Sequence, residues 1–494
     1  MRRIGSALAL TGMLALQPAT AASSPSPDEF ALYAEPLLAD AYPADAPGAA
    51  VLVMRGDEVL YRDARGMADL AAGVPLEPDD RFRIASVTKQ FSAAGLLTLV
   101  DAGKVSLDDP LSKYLPTYPG GARIMIEQLL NHTSGIKDFY DTRKDPSDFA
   151  PGEGWRYSNS GYHLVGGVIE AASGQRWYRY LDQTLFKPLG MNDTGYGGDG
   201  AVAARRVRGY TTDHGAPAPP RVSSVTQANQ DPAAGALVST VDDLARWNRA
   251  LHEGKVLEPA TYTRMITPVG QAKAHDYGYG IGTSTLRGAP ALQHSGRIAG
   301  FTSYLLYVPG ADITVAVLLN NETPPPAHAP HMVARRLAAA ALGDPYPPVE
   351  PVEVDLSVLK QYEGVYRADG DAARTLRVVD GVLTAKHARG RRFDLSAITD
   401  DIFVYTEGLS RLQVLRDESG RVTAMRFWSD GEGEGVVAPL TDLAVPIDIR
   451  LPRDALGRLI GRYWATALLI GAALAMFYAT KRWRRRKRLA ASTL

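Results

Sequence analysis

Residues 81–100 read RFRIASVTKQFSAAGLLTLV, and within this mostly apolar stretch Ser86 and Lys89 stand three residues apart. On a helix that spacing brings a hydroxyl and an amine to one face within contact distance. A lysine held beside Phe91, Leu96 and Leu97 loses solvation, which depresses its pKa and lets the neutral amine accept the serine proton. The backbone N–H of Ser86, at the helix start, is placed to stabilise an oxyanion. Upstream, residues 49–65 (AAVLVMRGDEVLYRDAR) alternate around Gly56-Asp57 as a β-hairpin does, so a strand pair feeds this helix.

The Ser-x-x-Lys pattern recurs at Ser134-Lys137 and Ser357-Lys360, both expected to be surface pairs, so other residues must choose among the three. Tyr157 is the only one of 23 tyrosines with an asparagine two residues on, Asn159, and it lies on a loop between PGEGW and a helix. A phenol near an ammonium relays a proton, and an amide holds a substrate carbonyl. The alternative reading of this pair is a turn tyrosine and a helix-capping asparagine. His294-Ser295-Gly296 precedes a strand, whereas the second His-x-Gly, His252-Glu253-Gly254, ends a helix with its glycine as C-cap. The small residue at Gly296 lets a substrate lie along the strand edge, with an N–H near Arg297 facing the carbonyl under attack.

Residues 161–189 and 240–253 are helical in pattern, the second opening on a capping-box-like Thr240-x-x-Asp243. Strands return from Tyr277, with apolar alternation in GFTSYLLYVPG and ITVAVLLNN. After the Pro-rich stretch 346–354 the composition shifts to short strands, with tight turns at Asp380-Gly381 and Ser419-Gly420. A domain boundary is placed there, and residues 358–442 read as a small all-β barrel or sandwich.

The composition of the 494 residues, 45% hydrophobic and 22% charged, is globular. Residues 1–22 combine Arg2 and Arg3, an apolar run and a small-residue Ala19-Thr20-Ala21 site, the pattern of a secretory signal peptide. Residues 463–480 (YWATALLIGAALAMFYAT) carry no charge and reach about 27 Å as a helix, enough to span a bilayer. Seven basic residues in eight follow at 481–488, and that bias predicts a single membrane span with a cytoplasmic C-terminus and an extracytoplasmic body. Setting aside Arg2, Arg3 and those seven leaves 45 basic against 54 acidic residues, a net charge of −9 that does not seek nucleic acid. There is no cysteine, hence no disulfide framework, thiol nucleophile or cysteine metal site. No serine sits in the G-x-S-x-G elbow of an α/β-hydrolase, and no H-E-x-x-H motif exists. Neither metal nor cofactor is expected.

Ser-x-x-Lys at a helix start after a hairpin, then Tyr-x-Asn, then His-x-Gly on a late strand, resembles the serine β-lactamase and penicillin-recognising hydrolase superfamily, specifically its class C-like branch. IEQLLNHTSGI (126–136), YSNSGYHLVGGVIE (157–170), LFKPLGMNDTG (185–195), AAGALVSTVDDLARW (233–247) and HSGRIAGFTSY (294–304) carry the likeness from about residue 30 to 340. The resemblance implies an α+β, β-lactamase/DD-peptidase-like fold. It implies Ser86 as the acylated nucleophile, Lys89 as its proton acceptor and Tyr157 as proton shuttle to the leaving group. Asn159, His294 and Gly296 would position substrate, and the N–H groups of Ser86 and Arg297 would form the oxyanion hole. Histidine at 294, where drug-hydrolysing members carry lysine, is largely neutral at pH 7, so carboxylate capture should weaken. This favours D-amino-acid-containing peptide or ester substrates over penicillins. The alternatives are a β-lactamase proper, or a penicillin-binding sensor acylated without turnover. LKQYEGVYR (359–367) resembles the lipocalin-like domains appended to some D-aminopeptidase-type members. The expected organisation is a signal peptide (1–22), catalytic domain (23–343), all-β domain (344–446), linker (447–462), transmembrane helix (463–480) and basic tail (481–494).

Overall fold

The hairpin forms where the alternation predicts it: β1 (Ala49–Arg55) pairs antiparallel with β2 (Glu58–Arg65), and Gly56 in the turn takes φ +53°, which glycine adopts at little steric cost. The structure is a computed structural model describing residues 24–138, 147–200, 206–211, 221–222, 232–368, 373–387, 392–406, 408–429 and 431–445. Four late strands, β3 (Gly282–Leu286), β4 (Ala289–Ile298), β5 (Phe301–Val308) and β6 (Ile313–Leu319), complete a six-stranded antiparallel sheet of order β3-β4-β5-β6-β1-β2. Ala49 lies opposite Leu319 and Arg55 opposite Ile313, so the two sequence-distant halves of the catalytic unit join mid-sheet.

The principal helices are α1 (Pro27–Ala41), α2 (Thr88–Asp101), α3 (Asn159–Ser173), α4 (Val241–His252) and α5 (Pro330–Ala341). One sheet face packs on α1 and α5, the other on the larger helical region that contains α2, α3 and α4. β1 serves both cores, with Ala49, Val51 and Val53 on one side and Ala50 and Leu52 on the other. This arrangement modifies the half-buried strands expected from alternation: every residue of β5 and β6 is buried, because both faces of the sheet are covered. The helical stretch expected over 161–189 is broken after Ser173 by Gly174, φ +73°, and resumes at Trp177–Leu181.

Beyond the Pro-rich stretch lie β7 (Gly364–Tyr366), β8 (Arg374–Val379), β9 (Val382–His387), β10 (Arg392–Ala397), β11 (Ile402–Tyr405), β12 (Arg411–Arg416), β13 (Val422–Trp428) and β14 (Val436–Pro439), each hydrogen-bonded to the next. The meander closes on itself through a bridge between Tyr366 and Leu440 and an N–H of Thr441 donating to the Val365 carbonyl at 2.9 Å. Of barrel and sandwich, it is therefore a barrel. Closure leaves no free sheet edge along the bonded strands. Tyr362, Tyr366, Leu376, Leu383, Phe403, Leu412 and Met425 fill it. Its β13–β14 connection inserts Glu432 beside the catalytic unit, where the carboxylate accepts from the Arg287 N–H at 2.6 Å and meets Arg335 and the Tyr346 hydroxyl.

Among the described residues no helix is long and apolar enough to cross a membrane. The expected signal peptide, linker, membrane span and basic tail all lie outside the described residues.

Candidate active site

Ser86 occupies a single 3₁₀ turn, Ala85–Val87, that runs into α2. Ala85 just before it takes φ +47°, a conformation a non-glycine residue holds only when its surroundings impose it. Those surroundings include the Ile84 N–H bonded to the Leu237 carbonyl and the Ser303 hydroxyl bonded to the Ile84 carbonyl. Lys89, one turn on, is fully buried. Its Nζ lies 3.2 Å from Ser86 Oγ, 2.8 Å from Asn159 Oδ1 and 2.9 Å from the Ala234 carbonyl. The last two atoms can only accept, so the amine donates to both. In the neutral state those two N–H groups are thereby used, and the lone pair is left for the Ser86 hydroxyl. The amine also stands over the faces of Tyr157 and Tyr162, 4.7 and 5.4 Å from the ring centroids.

Asn159 is not the cap of α3. Ser158 is, accepting from the Gly161 N–H at 3.0 Å, which frees the asparagine side chain for the site. Asn159 Nδ2 donates to Asp138 Oδ2 at 2.9 Å, fixing the amide with its oxygen toward Lys89 and leaving one N–H for a substrate carbonyl. Tyr157 Oη is buried and among the described residues makes no bond of full hydrogen-bond geometry. Burial raises its pKa far above the ordinary tyrosine value; the nearby Ser86 hydroxyl pulls it back and the Asp138 carboxylate raises it further. The resting phenol is therefore protonated and can give a proton to a leaving group. Its ring packs 4.3 Å from that of His132, whose Nδ1 accepts the Ser158 N–H at 3.2 Å.

His294 arrives on β4. Its Nδ1 is 2.6 Å from the Ser295 carbonyl, an acceptor only, so Nδ1 carries the proton and Nε2 accepts from the Tyr277 hydroxyl at 2.9 Å. Burial, then the Lys89 charge, lower its pKa to about 3. The imidazole is neutral, as its unperturbed pKa predicts, but both ring nitrogens are taken by the protein. His294 thus holds Tyr277 in the cleft wall instead of presenting a free nitrogen. Tyr277 is the residue sequence reasoning missed; the available signal was the glycine-punctuated Tyr277-Gly278-Tyr279-Gly280 just before β3.

Gly296 is required sterically, since a Cβ there would strike the Ile84 carbonyl, Ser303 Oγ and Ala85 Cβ. β4 crosses directly over the Ser86 turn for that reason. β3 pairs with β4 only as far as Gly282 opposite Gln293, so among the described residues no strand covers the outer edge of β4 from His294 to Ile298. Ser86, Tyr157, Asn159, Tyr277, His294 and Arg297 line one cleft of about 320 Å³ at that edge. A larger cavity, about 680 Å³ between α1 and the barrel, contains none of them.

The competing motifs fall away. Ser134 and Lys137 are buried instead of exposed, and Gly135 between them takes φ +73°, so no helix turn aligns the pair. Ser357 and Lys360 belong to the short helix Leu356–Lys360 beside the barrel. His252 ends α4 and stacks on Tyr307 at 4.1 Å.

Comparison with protein families matches residues 38–340 to the family described as Beta-lactamase. The chain belongs to the beta-lactamase family. Among curated relatives, this family member is 27% identical over 374 residues to a penicillin-binding protein of Bacillus subtilis (strain 168), covering 66% of the chain and 80% of the relative. It is 26% identical over 324 residues to a D-aminopeptidase of Gluconobacter oxydans (strain 621H), covering 61% of the chain and 60% of that relative. Among solved structures, the D-amino acid amidase of Ochrobactrum anthropi SV3 superposes with a TM-score of 0.56 at 26% identity, covering 63% of this chain and 98% of the amidase. With these relatives and this fold, the chain is a serine hydrolase of the family.

Proposed function

We propose that this chain is a membrane-anchored extracytoplasmic hydrolase acting through an acyl-enzyme at Ser86 on D-amino-acid-containing peptides and amides, or on related esters. The observation that carries the reading is the bonding of Lys89: two fixed acceptors use two donors of the buried amine, and the third direction meets Ser86 Oγ. Lys89 takes the serine proton as Oγ attacks the carbonyl. The N–H groups of Ser86 and Arg297 receive the oxyanion, and Tyr157 passes a proton to the leaving group. Water then cleaves the ester with the same groups in reverse. The D-aminopeptidase and D-amino acid amidase among the relatives support the substrate class. A neutral His294 supports it too, since it offers a substrate carboxylate no cation. The uncharged 463–480 run and the basic residues after it support the anchor.

The full chain in detergent should release a burst of p-nitrophenol from a short acyl ester and hydrolyse D-alaninamide, and Ser86→Ala should abolish both. Equal rates in the two proteins eliminate the acyl-enzyme. For the anchor, the chain should sediment with membranes, and removal of residues 463–494 should release it.

A further inference from the structure

Burial along β4 alternates: His294 and Gly296 face the interior, Ser295 and Arg297 the outside. His294 cannot supply charge to the cleft, because it is neutral and saturated. Arg297, three residues past His294, is exposed, and among the described residues it makes no ion pair. It borders the cleft of Ser86 and also a second groove of about 600 Å³, which shares Ser295 and Arg297 with that cleft and continues along Thr302, Glu322, Pro326 and Pro330. Among the described residues the one carboxylate in this groove, Glu322, is held at 3.2 Å by the Gly300 N–H and forms no bridge to Arg297.

A substrate paired to the open edge of β4 directs successive substituents to opposite faces, as any strand does. The residue aligned with Arg297 therefore turns its side group away from Ser86 and into the second groove. We infer that this groove is a subsite for a carboxylate-bearing substituent on the acyl side of the substrate, with the Arg297 guanidinium as its specificity-determining group. The planar guanidinium can take a carboxylate through two parallel hydrogen bonds, which a neutral amide of the same shape cannot reproduce. The subsite rests on the hydrolase reading for its place beside the reacting carbonyl, and it supplies the anion recognition that His294 lacks.

Binding separates the two claims, because it needs no turnover. Calorimetry with the full-length Ser86→Ala protein should find N-succinyl-D-alaninamide bound about tenfold more tightly than its neutral succinamoyl analogue at low salt, a bond to a charged group being worth that much. The preference should shrink as salt rises. Arg297→Ala should erase the difference, and Arg297→Glu should favour a β-alanyl analogue that carries an ammonium in its place. Equal binding of the succinyl pair, or a preference that survives in Arg297→Ala, overturns the subsite. Succinyl- and acetyl-D-alanine p-nitroanilides, offered to the protein with Ser86 intact, judge the hydrolase. Cleavage of neither sinks the acyl-enzyme reading whatever the calorimetry shows.

Discussion

Tyr277→Phe removes the hydroxyl that, among the described residues, alone bonds His294 Nε2, and leaves a buried acceptor without that donor. An orphaned acceptor costs about 1–3 kcal/mol, so the urea unfolding midpoint should fall by that equivalent while the fold persists. A midpoint unchanged within error would mean that the imidazole finds another partner, and the assigned tautomer would then be wrong. The contrast between Tyr157 and Tyr277 explains what was legible at this scale. Tyr157 betrays itself by Asn159 two positions on and by a loop before a helix. Tyr277 has only the glycine-punctuated run Tyr277-Gly278-Tyr279-Gly280 to mark it, which does not reveal a hydrogen bond to a residue on another segment. Ser158 makes the same point from the other side: only its bond to the Gly161 N–H shows that the serine caps α3 and Asn159 is free to serve the site.

At the scale of elements, the active site is a crossing of β4 over the turn that starts α2. Gly296→Ala tests that crossing. The added methyl meets backbone at Ile84 and the Ser303 hydroxyl, neither of them the far end of a flexible side chain, so strand or turn must shift. A displacement of about 1 Å at reacting groups costs on the order of 10²-fold in rate. The acyl-ester burst should slow by at least that factor, with far-ultraviolet circular dichroism unchanged. A rate within twofold of the parent would show that the strand does not press on the Ser86 turn. Hairpin, helix start and strand returns were readable because their periodicities are local. The double burial of β5 and β6 was not, since it arises from helices packed on both faces of the sheet.

For the whole molecule, two buried histidines, His132 and His294, and one partly buried, His252, set the acid limit. Burial lowers the pKa of His132, His252 and His294, to about 3 for the last two. Unfolded, each binds a proton near pH 6.5; folded, it does not, so between those values the unfolded state holds more protons and stability falls as pH drops. Each contributes up to about 1.4 kcal/mol per pH unit, or about 3–4 kcal/mol together between pH 6 and 5. Asp243 works in the opposite direction, its carboxyl pushed up by burial, but only near the carboxylate range. Denaturant unfolding across this window should show the slope, and His252→Phe, remote from the cleft, should reduce it by about a third. A flat profile would mean that water reaches these rings. The barrel adds a second level of organisation: its closure and the insertion of Glu432 beside Arg335 join pieces that no local pattern relates.

The amino-acid sequence by itself determined the Ser86–Lys89 pair, the Tyr157 and Asn159 loop, the His294 strand, the all-β unit and the family, because each depends on neighbours a few residues apart or on their order along the chain. The tertiary structure decided how the Ser86–Lys89 pair meets Tyr157 and Asn159 in one cleft, the tautomer and saturation of His294, the part played by Tyr277, and the groove beside Arg297. Those depend on hydrogen-bond valence and steric contact between segments that only folding brings together.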